Sequence, residues 1–202
     1  MCIAWLIQAS YQLGMDPLRF AQLLMLPWFV SEATVFLRDR QPGGGTRHDG
    51  GSRSLILIAM TAAVWIAFGV RSQRLGLLAG PAALWMAAGA LLMLAGIVVR
   101  QRAVHFLGAY FRTHVMLLDD HRLVTTGPYA RIRHPSYTGG LMSAAAVGLA
   151  MGSLASLAVT VILPALAFAY RIRVEERALE RHFGDEWRDY RASTAALIPG
   201  LR

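Results

Sequence analysis

Two charged side chains one helical turn apart, Arg171 and Glu175, could bind a ligand that carries charges of both signs. A carboxylate binds an ammonium group, and a guanidinium binds a carboxylate through paired hydrogen bonds. The same spacing also fits an ordinary ion pair on a helix surface, which contributes only about 0.2–0.5 kcal/mol. The residue types and their spacing leave both interpretations open.

A polar stretch with two prolines, residues 121–137, precedes this pair and reads HRLVTTGPYARIRHPSY. Proline lacks a backbone N–H and restricts the residue before it, so Gly127-Pro128 and His134-Pro135 predict turns. Backbone N–H groups at such a turn can bind a carboxylate. His134 could equally be a helix cap.

Aromatic rings complete the candidate set. Tyr129 and Tyr137 can face an adenine or a cation, although both are also typical of the membrane interface. Combined with an ammonium contact at Glu175 and an anionic acceptor at Arg171, these groups match a zwitterionic amino-acid cofactor.

The composition predicts a membrane protein. Of the 202 residues, 55% are hydrophobic and 16% are charged, and the mean hydropathy is +0.44. An ordinary soluble domain is less apolar. The net charge of +8 is compatible with nucleic-acid binding, but the basic residues lie in loops between apolar runs, so we expect membrane lipids and no nucleic acid as partners.

Apolar runs divide the chain into elements. We expect residues 1–14 to form an interfacial lead-in, residues 38–53 a flexible connector, and Pro164 a kink. The other predicted elements are spans over 18–37, 54–70 and 81–99, an amphipathic helix over 100–120, a helical hairpin over 138–152 and 153–170, and a charged helix over 171–190.

This pattern predicts an all-α integral membrane protein with about five transmembrane helices, including a carboxyl-terminal helical hairpin, with cytosolic amphipathic helices and a cofactor-binding loop. We expect one membrane domain, residues 1–202, with amino-terminal spans in 1–99 and the polar chemistry in 100–202. Glu32 lies inside the first span, where a carboxylate is costly unless it pairs. We expect it to reach toward Arg38 or to bond to another helix.

The loops carry unequal numbers of arginine. Residues 38–53 carry four, residues 71–80 carry two, residues 100–137 carry six and residues 171–202 carry seven. With five spans, the four, the six and the seven fall on one side, which the positive-inside rule makes the cytoplasm. We therefore expect both polar regions to face the cytoplasm.

Familiar catalytic motifs are missing from the sequence. It contains no nucleophile elbow, HExxH motif, phosphate-binding loop or Cys/His metal cluster, and its single cysteine, Cys2, excludes an intramolecular disulfide. We expect no metal and a cofactor that carries the reactive group.

Four short motifs occur in order in residues 100–202, about half of the chain. They are HRLVTTGPY from residue 121, RHPSYTG from residue 133, Arg171 with Glu175 and Glu176, and HFGDEWRDY from residue 182. In this order they resemble the isoprenylcysteine carboxyl methyltransferase and phospholipid methyltransferase superfamily. The resemblance implies S-adenosyl-L-methionine as methyl donor, bound at the cytosolic face, and a lipid-side entrance for a lipophilic acceptor.

The resemblance also assigns roles by motif position. It implies that Arg171 contacts and aims the acceptor carboxylate and that Glu175 anchors the ammonium group of the donor. The implied donor contacts are His114, His121, Arg122, Leu123, Val124, Tyr129, His134, Pro135, Ser136, Tyr137 and Glu175.

The reaction implied is displacement at the sulfonium methyl, which needs no metal and, for a carboxylate acceptor, no general base. A prenylated cysteine, a phospholipid amine or a small hydrophobic acid would each fit. An amine would need a proton acceptor, for which Glu176 and His182 are candidates. Two other classes stay open, an NADPH-dependent membrane reductase of lipids or sterols and a non-enzymatic membrane scaffold.

Overall fold

The computed structural model describes residues 14–38, 46–47, 51–108, 116–117 and 123–200, most of which are helical. The helices are α1 (Pro17–Arg38), α2 (Ser52–Ser72), α3 (Ala82–Leu107), α4 (Pro135–Ala150), α5 (Leu154–Phe183) and α6 (Asp185–Ser193). A 3-10 turn covers Gly127–Ala130, and the two-residue strands β1 (Thr46–Arg47) and β2 (Met116–Leu117) pair antiparallel.

Four helices, α1, α2, α3 and α5, are long and apolar enough to cross a membrane. They have 22, 21, 26 and 30 residues, against the roughly 20 that a span requires. Helix α4 is shorter, with 16 residues, and forms a hairpin with α5 around Gly152 (φ 63°). The predicted all-α membrane fold and its carboxyl-terminal hairpin are confirmed, whereas the predicted lead-in falls almost wholly outside the described residues.

Two predicted boundaries differ from the structure. Residues 100–107 are the last two turns of α3, not the start of a separate amphipathic helix, and α3 ends at Leu107, just before Gly108. Similarly, α5 contains Pro164 without ending there, and it does not end at Tyr170 but continues through the charged residues to Phe183. The reason is local, because residues 100–107 and 165–183 contain no glycine or proline that would end a helix.

Small residues bring α3 and α4 into close contact. A Cβ on Gly89 would lie 2.8 Å from the Ala146 carbonyl oxygen, and one on Gly139 would lie 2.6 Å from the backbone nitrogen of Arg100. Glycine and other small residues permit this backbone approach between membrane helices. The small residues of α4 therefore pack against α3, and Arg100 is fixed against the first turns of α4.

Replacing Gly96 with alanine is expected to destabilise the α3–α4 contact. The new Cβ would lie 2.8 Å from the backbone nitrogen of Ser143 and 2.8 Å from the Gly139 carbonyl oxygen, so backbone must move. We expect a loss of about 2 kcal/mol, measured as a lower midpoint of thermal unfolding in detergent. Gly69→Ala is the matched control, since a Cβ there meets nothing within 4 Å, and an equal loss in both variants would contradict the packing explanation.

The helix order brings the two polar regions to one end of the bundle. Helices α1 and α3 end there, α2 and α4 begin there, and the charged part of α5 emerges there. The opposite end is closed by hydrogen bonds between the α2–α3 loop and the hairpin turn. Ser153 Oγ donates to the Leu75 carbonyl at 2.8 Å, and the Leu78 N–H donates to the Gly152 carbonyl at 2.9 Å.

Candidate functional site

One tyrosine links the two charged residues that the sequence singled out. The Tyr137 hydroxyl donates to Glu175 Oε2 at 2.7 Å and accepts from Arg171 Nε at 3.2 Å. Arg171 Nε lies 3.9 Å from Glu175 Oε2. The Arg171 side chain is 3% exposed and that of Glu175 is 31% exposed, so this is not a surface ion pair. It joins a buried cation to an accessible carboxylate.

Arg171 is also held from the amino-terminal half of the chain. Its Nη1 donates to Ser52 Oγ at 2.7 Å, and Ser52 is fully buried in the first turn of α2. The ring of Tyr137 stacks with Phe168, at 5.0 Å between centroids, and with His134, at 5.5 Å. Helical spacing along α5 would have found Phe168, three residues before Arg171, but nothing in the local sequence marks Ser52.

A second carboxylate, Glu176, gathers three cationic or titratable groups. Its Oε1 accepts from Arg133 Nε at 3.0 Å and lies 3.2 Å from His134 Nε2, while its Oε2 lies 3.6 Å from Arg191 Nε. The side chains of Arg133 and His134 are buried. These contacts tie α5 to α6 and to the turn before α4, so Glu176 has a clear structural role. His134 is not a side-chain cap of α4.

The carboxyl-terminal segment lies along the turn that precedes α4. Ile132 and Ala195 form a parallel bridge, the Arg133 N–H donates to the Ala195 carbonyl at 2.8 Å, and the His134 N–H donates to the Ala196 carbonyl at 3.0 Å. These two N–H groups already donate to backbone carbonyls, so they are not available to bind a ligand carboxylate, a role that the sequence left possible. The sequence of the turn does not indicate that residues 195 and 196 would pair with it.

Two buried tyrosines support the same turn. The Tyr190 hydroxyl donates to the Tyr129 carbonyl at 2.7 Å, and the Tyr129 hydroxyl donates to the Ala103 carbonyl at 3.3 Å. Burial raises the pKa of Tyr190 to about 12, even though the charge of Arg133 opposes the shift. Burial, with Glu175 as a further cause, raises the pKa of Tyr129 above its ordinary value. Both hydroxyls therefore stay neutral donors at physiological pH.

The remaining predicted donor contacts fall into two groups. Leu123 and Val124 are half-buried ahead of the 3-10 turn, and Pro135 and Ser136 are buried in the first turn of α4. His114, His121 and Arg122 lie outside the described residues. The structure thus brings Tyr129, His134, Pro135, Ser136 and Tyr137 to the same end of the bundle as Arg171 and Glu175.

The fold and the site together define an all-helical integral membrane protein with a charged, hydroxyl-bridged site at one end of a helical hairpin. Residues 89–181 match the Isoprenylcysteine carboxyl methyltransferase (ICMT) family. This match confirms the predicted resemblance, and it includes the first three of the four sequence motifs.

Curated relatives share the same region. The chain is 38% identical over 80 residues to a protein-S-isoprenylcysteine O-methyltransferase of Schizosaccharomyces pombe, covering 40% of this chain and 34% of that protein. It is 34% identical over 115 residues to the Dictyostelium discoideum protein of the same name, covering 55% of this chain and 48% of that protein. The chain thus spans half or less of the length of these two relatives.

A solved structure supports the same fold. The eukaryotic intramembrane Ras methyltransferase ICMT (isoprenylcysteine carboxyl methyltransferase) matches with a TM-score of 0.59 and 25% identity. The match covers 72% of this chain and 52% of that chain, so it extends the likeness beyond the family-matched residues.

Proposed function

We propose that this protein is an integral membrane methyltransferase that moves a methyl group from S-adenosyl-L-methionine to the carboxylate of a prenylated cysteine. The observation that carries the proposal is the contact of Tyr137 with both Arg171 and Glu175, since one hydroxyl then joins a site for an anion to a site for a cation. The family match of residues 89–181 and the names of the curated relatives support the same reaction.

The described residues fit the donor. Glu175 is partly exposed and accepts a hydrogen bond from Tyr137, and a carboxylate has room for further donors such as an ammonium group. The stacked rings of Tyr137 and His134 offer an aromatic edge beside it. When bound, the cofactor supplies an electrophilic methyl group. The further donor contacts proposed are His114, His121, Arg122, Leu123, Val124, Tyr129, Pro135 and Ser136.

Arg171 is the proposed partner of the acceptor. A guanidinium has five N–H donors in a planar fork, so it can hold the hydroxyls of Ser52 and Tyr137 and also orient a carboxylate. A carboxylate is ionised at neutral pH and needs no proton acceptor. Since Glu176 is paired with Arg133, this chain is better suited to a carboxylate than to an amine.

The proposed orientation puts the site at the cytoplasmic surface. The arginine-rich segments precede α2, precede α4 and begin within the last part of α5, and all three adjoin the site end of the bundle. Cytoplasmic loops of membrane proteins carry an excess of arginine and lysine. A lipophilic acceptor would then approach from the surrounding bilayer.

The test is transfer of labelled methyl from the donor by the purified protein in lipid vesicles. The acceptors are a small farnesylated cysteine with a free carboxylate, the same compound as its carboxamide, and phosphatidylethanolamine. We expect label only in the free carboxylate, and we expect alkali to release it as methanol because the product is an ester.

Alkali-stable label in phosphatidylethanolamine would identify an N-methyltransferase instead. Binding of NADPH without the donor would favour a reductase, and binding of neither would leave a scaffold.

A further inference from the structure

A partly buried ion pair joins the first span to the third. Arg100 Nη2 donates to Glu32 Oε2 at 2.6 Å, which confirms that Glu32 bonds to another helix. The Arg100 side chain is 15% exposed and that of Glu32 is 35% exposed, and both residues lie within helices long enough to cross the membrane. A carboxylate in such a segment is costly unless it is paired, and Arg100 is its partner.

The same guanidinium reaches beyond Glu32 to the first turn of α4. Arg100 Nη1 donates to Ser136 Oγ at 3.0 Å and to the Ser136 carbonyl at 3.2 Å. The backbone of Arg100 is held there as well, since a Cβ on Gly139 would lie 2.6 Å from its nitrogen. One side chain therefore connects α1, α3 and α4 at the residue that precedes Tyr137.

Electrostatics explains why Arg100 needs a carboxylate at this place. The amino-terminal turn of a helix carries a partial positive charge, so a guanidinium beside the start of α4 is unfavourable unless an anion balances it. Glu32 is that anion. Without its charge, we expect Arg100 to turn away from Ser136 toward water or lipid headgroups.

We infer that Glu32 is a positioning residue for the donor site, acting through Arg100 on Ser136 and so fixing the hydroxyl of Tyr137 beside Glu175. This inference rests on the proposed function. Ser136 adjoins Tyr137, whose hydroxyl donates to Glu175 at 2.7 Å, so a shift of the first turn of α4 moves that hydroxyl. Glu32 lies outside the matched residues 89–181, and the family match assigns it no role.

The test replaces Glu32 with glutamine, which keeps the volume and removes the charge. We expect the KM for S-adenosyl-L-methionine to rise about tenfold while kcat changes less than about twofold. Calorimetry in detergent should give the same loss of donor affinity. Glu32→Asp keeps the charge and should recover most of it, which a purely steric role would not predict.

Gln101 provides a matched control. Its Nε2 donates to Ser31 Oγ at 2.8 Å and to Thr34 Oγ1 at 2.9 Å, so it links the same two helices, but no described bond joins it to α4. Gln101→Leu should lower the thermal midpoint as Glu32→Gln does and leave the KM of the donor unchanged. Equal KM effects in the two variants would overturn the inference, because Glu32 would then act only as a tie between helices.

A double-mutant cycle with Ser136→Ala tests the path. If Glu32 acts through Ser136, the two substitutions should be less than additive in donor affinity. Should Glu32→Gln not fold, Arg100→Gln must raise the KM of the donor, since Arg100 joins Glu32 to Ser136, and an unchanged KM overturns the inference. Wild-type protein that does not bind the donor refutes the proposed function instead. If the wild-type protein binds the donor and the Glu32→Gln variant binds it with equal affinity, the result refutes this inference but not the proposed function.

Discussion

Replacing Glu175 with glutamine is expected to weaken binding of S-adenosyl-L-methionine by about 10- to 100-fold. Glutamine keeps the size of the side chain and still accepts the hydrogen bond from Tyr137, so the loss isolates the negative charge. That charge faces an ammonium group in the proposed complex and lies 3.9 Å from Arg171. Titration calorimetry of the purified protein in detergent measures the affinity directly.

Glu180 is the matched control for this substitution. It lies on the same helix, and its Oε1 accepts from Arg188 Nε at 3.3 Å in an exposed pair. Exposed ion pairs contribute little, so Glu180→Gln should leave donor affinity unchanged. Equal affinity of wild type and the Glu175→Gln variant would remove Glu175 from the donor site.

Replacing Arg171 with methionine should reduce kcat/KM for the prenylated cysteine by about 100- to 1000-fold. Methionine fills part of the volume but offers no donor to the acceptor carboxylate, and the Tyr137 hydroxyl loses the bond from Arg171 Nε. Steady-state rates with varied acceptor at saturating donor measure the effect. Arg171→Lys should recover only part of the loss, because an ammonium cannot reproduce the planar fork.

Arg173→Met is the control, since Arg173 is exposed two residues further along the same helix. It should change neither the acceptor nor the donor parameters by more than about twofold. Thermal unfolding of Ser52→Ala reports how much of any instability comes from losing the buried bond to Arg171. If Arg171→Met weakened only donor binding and left the acceptor parameters intact, Arg171 would belong to the donor side of the site.

The order of apolar and polar residues along the chain was sufficient to predict much of the fold. Apolar runs of about 20 residues predict spans because the length needed to cross hydrocarbon is fixed by the helix rise. The hairpin turn at Gly152 was predictable for the same local reason, as was the placement of Arg171 and Glu175 one turn apart. Helix ends were harder to predict. The sequence becomes polar after Tyr170, but no glycine or proline follows there to end the helix, so α5 continues to Phe183.

The candidate site was only partly predictable. The four motifs indicated which carboxylate and which guanidinium to combine, and the family match covers residues 89–181. Nothing in the sequence indicated that Ser52 would hold Arg171 or that residues 195–196 would use the N–H groups of the turn before α4. Those partners are more than 60 positions away along the chain.

The sequence by itself determined the membrane class, the helical hairpin and the types of side chain at its polar end, because hydrophobic length and helical period are properties of neighbouring residues. Tertiary structure alone decided which groups meet. Glu32 could have paired along its own helix, but the close contact of α3 with α4 brings Arg100 between Glu32 and Ser136. Hydrogen-bond partners across helices depend on rotation and distance between helices, which no local pattern encodes.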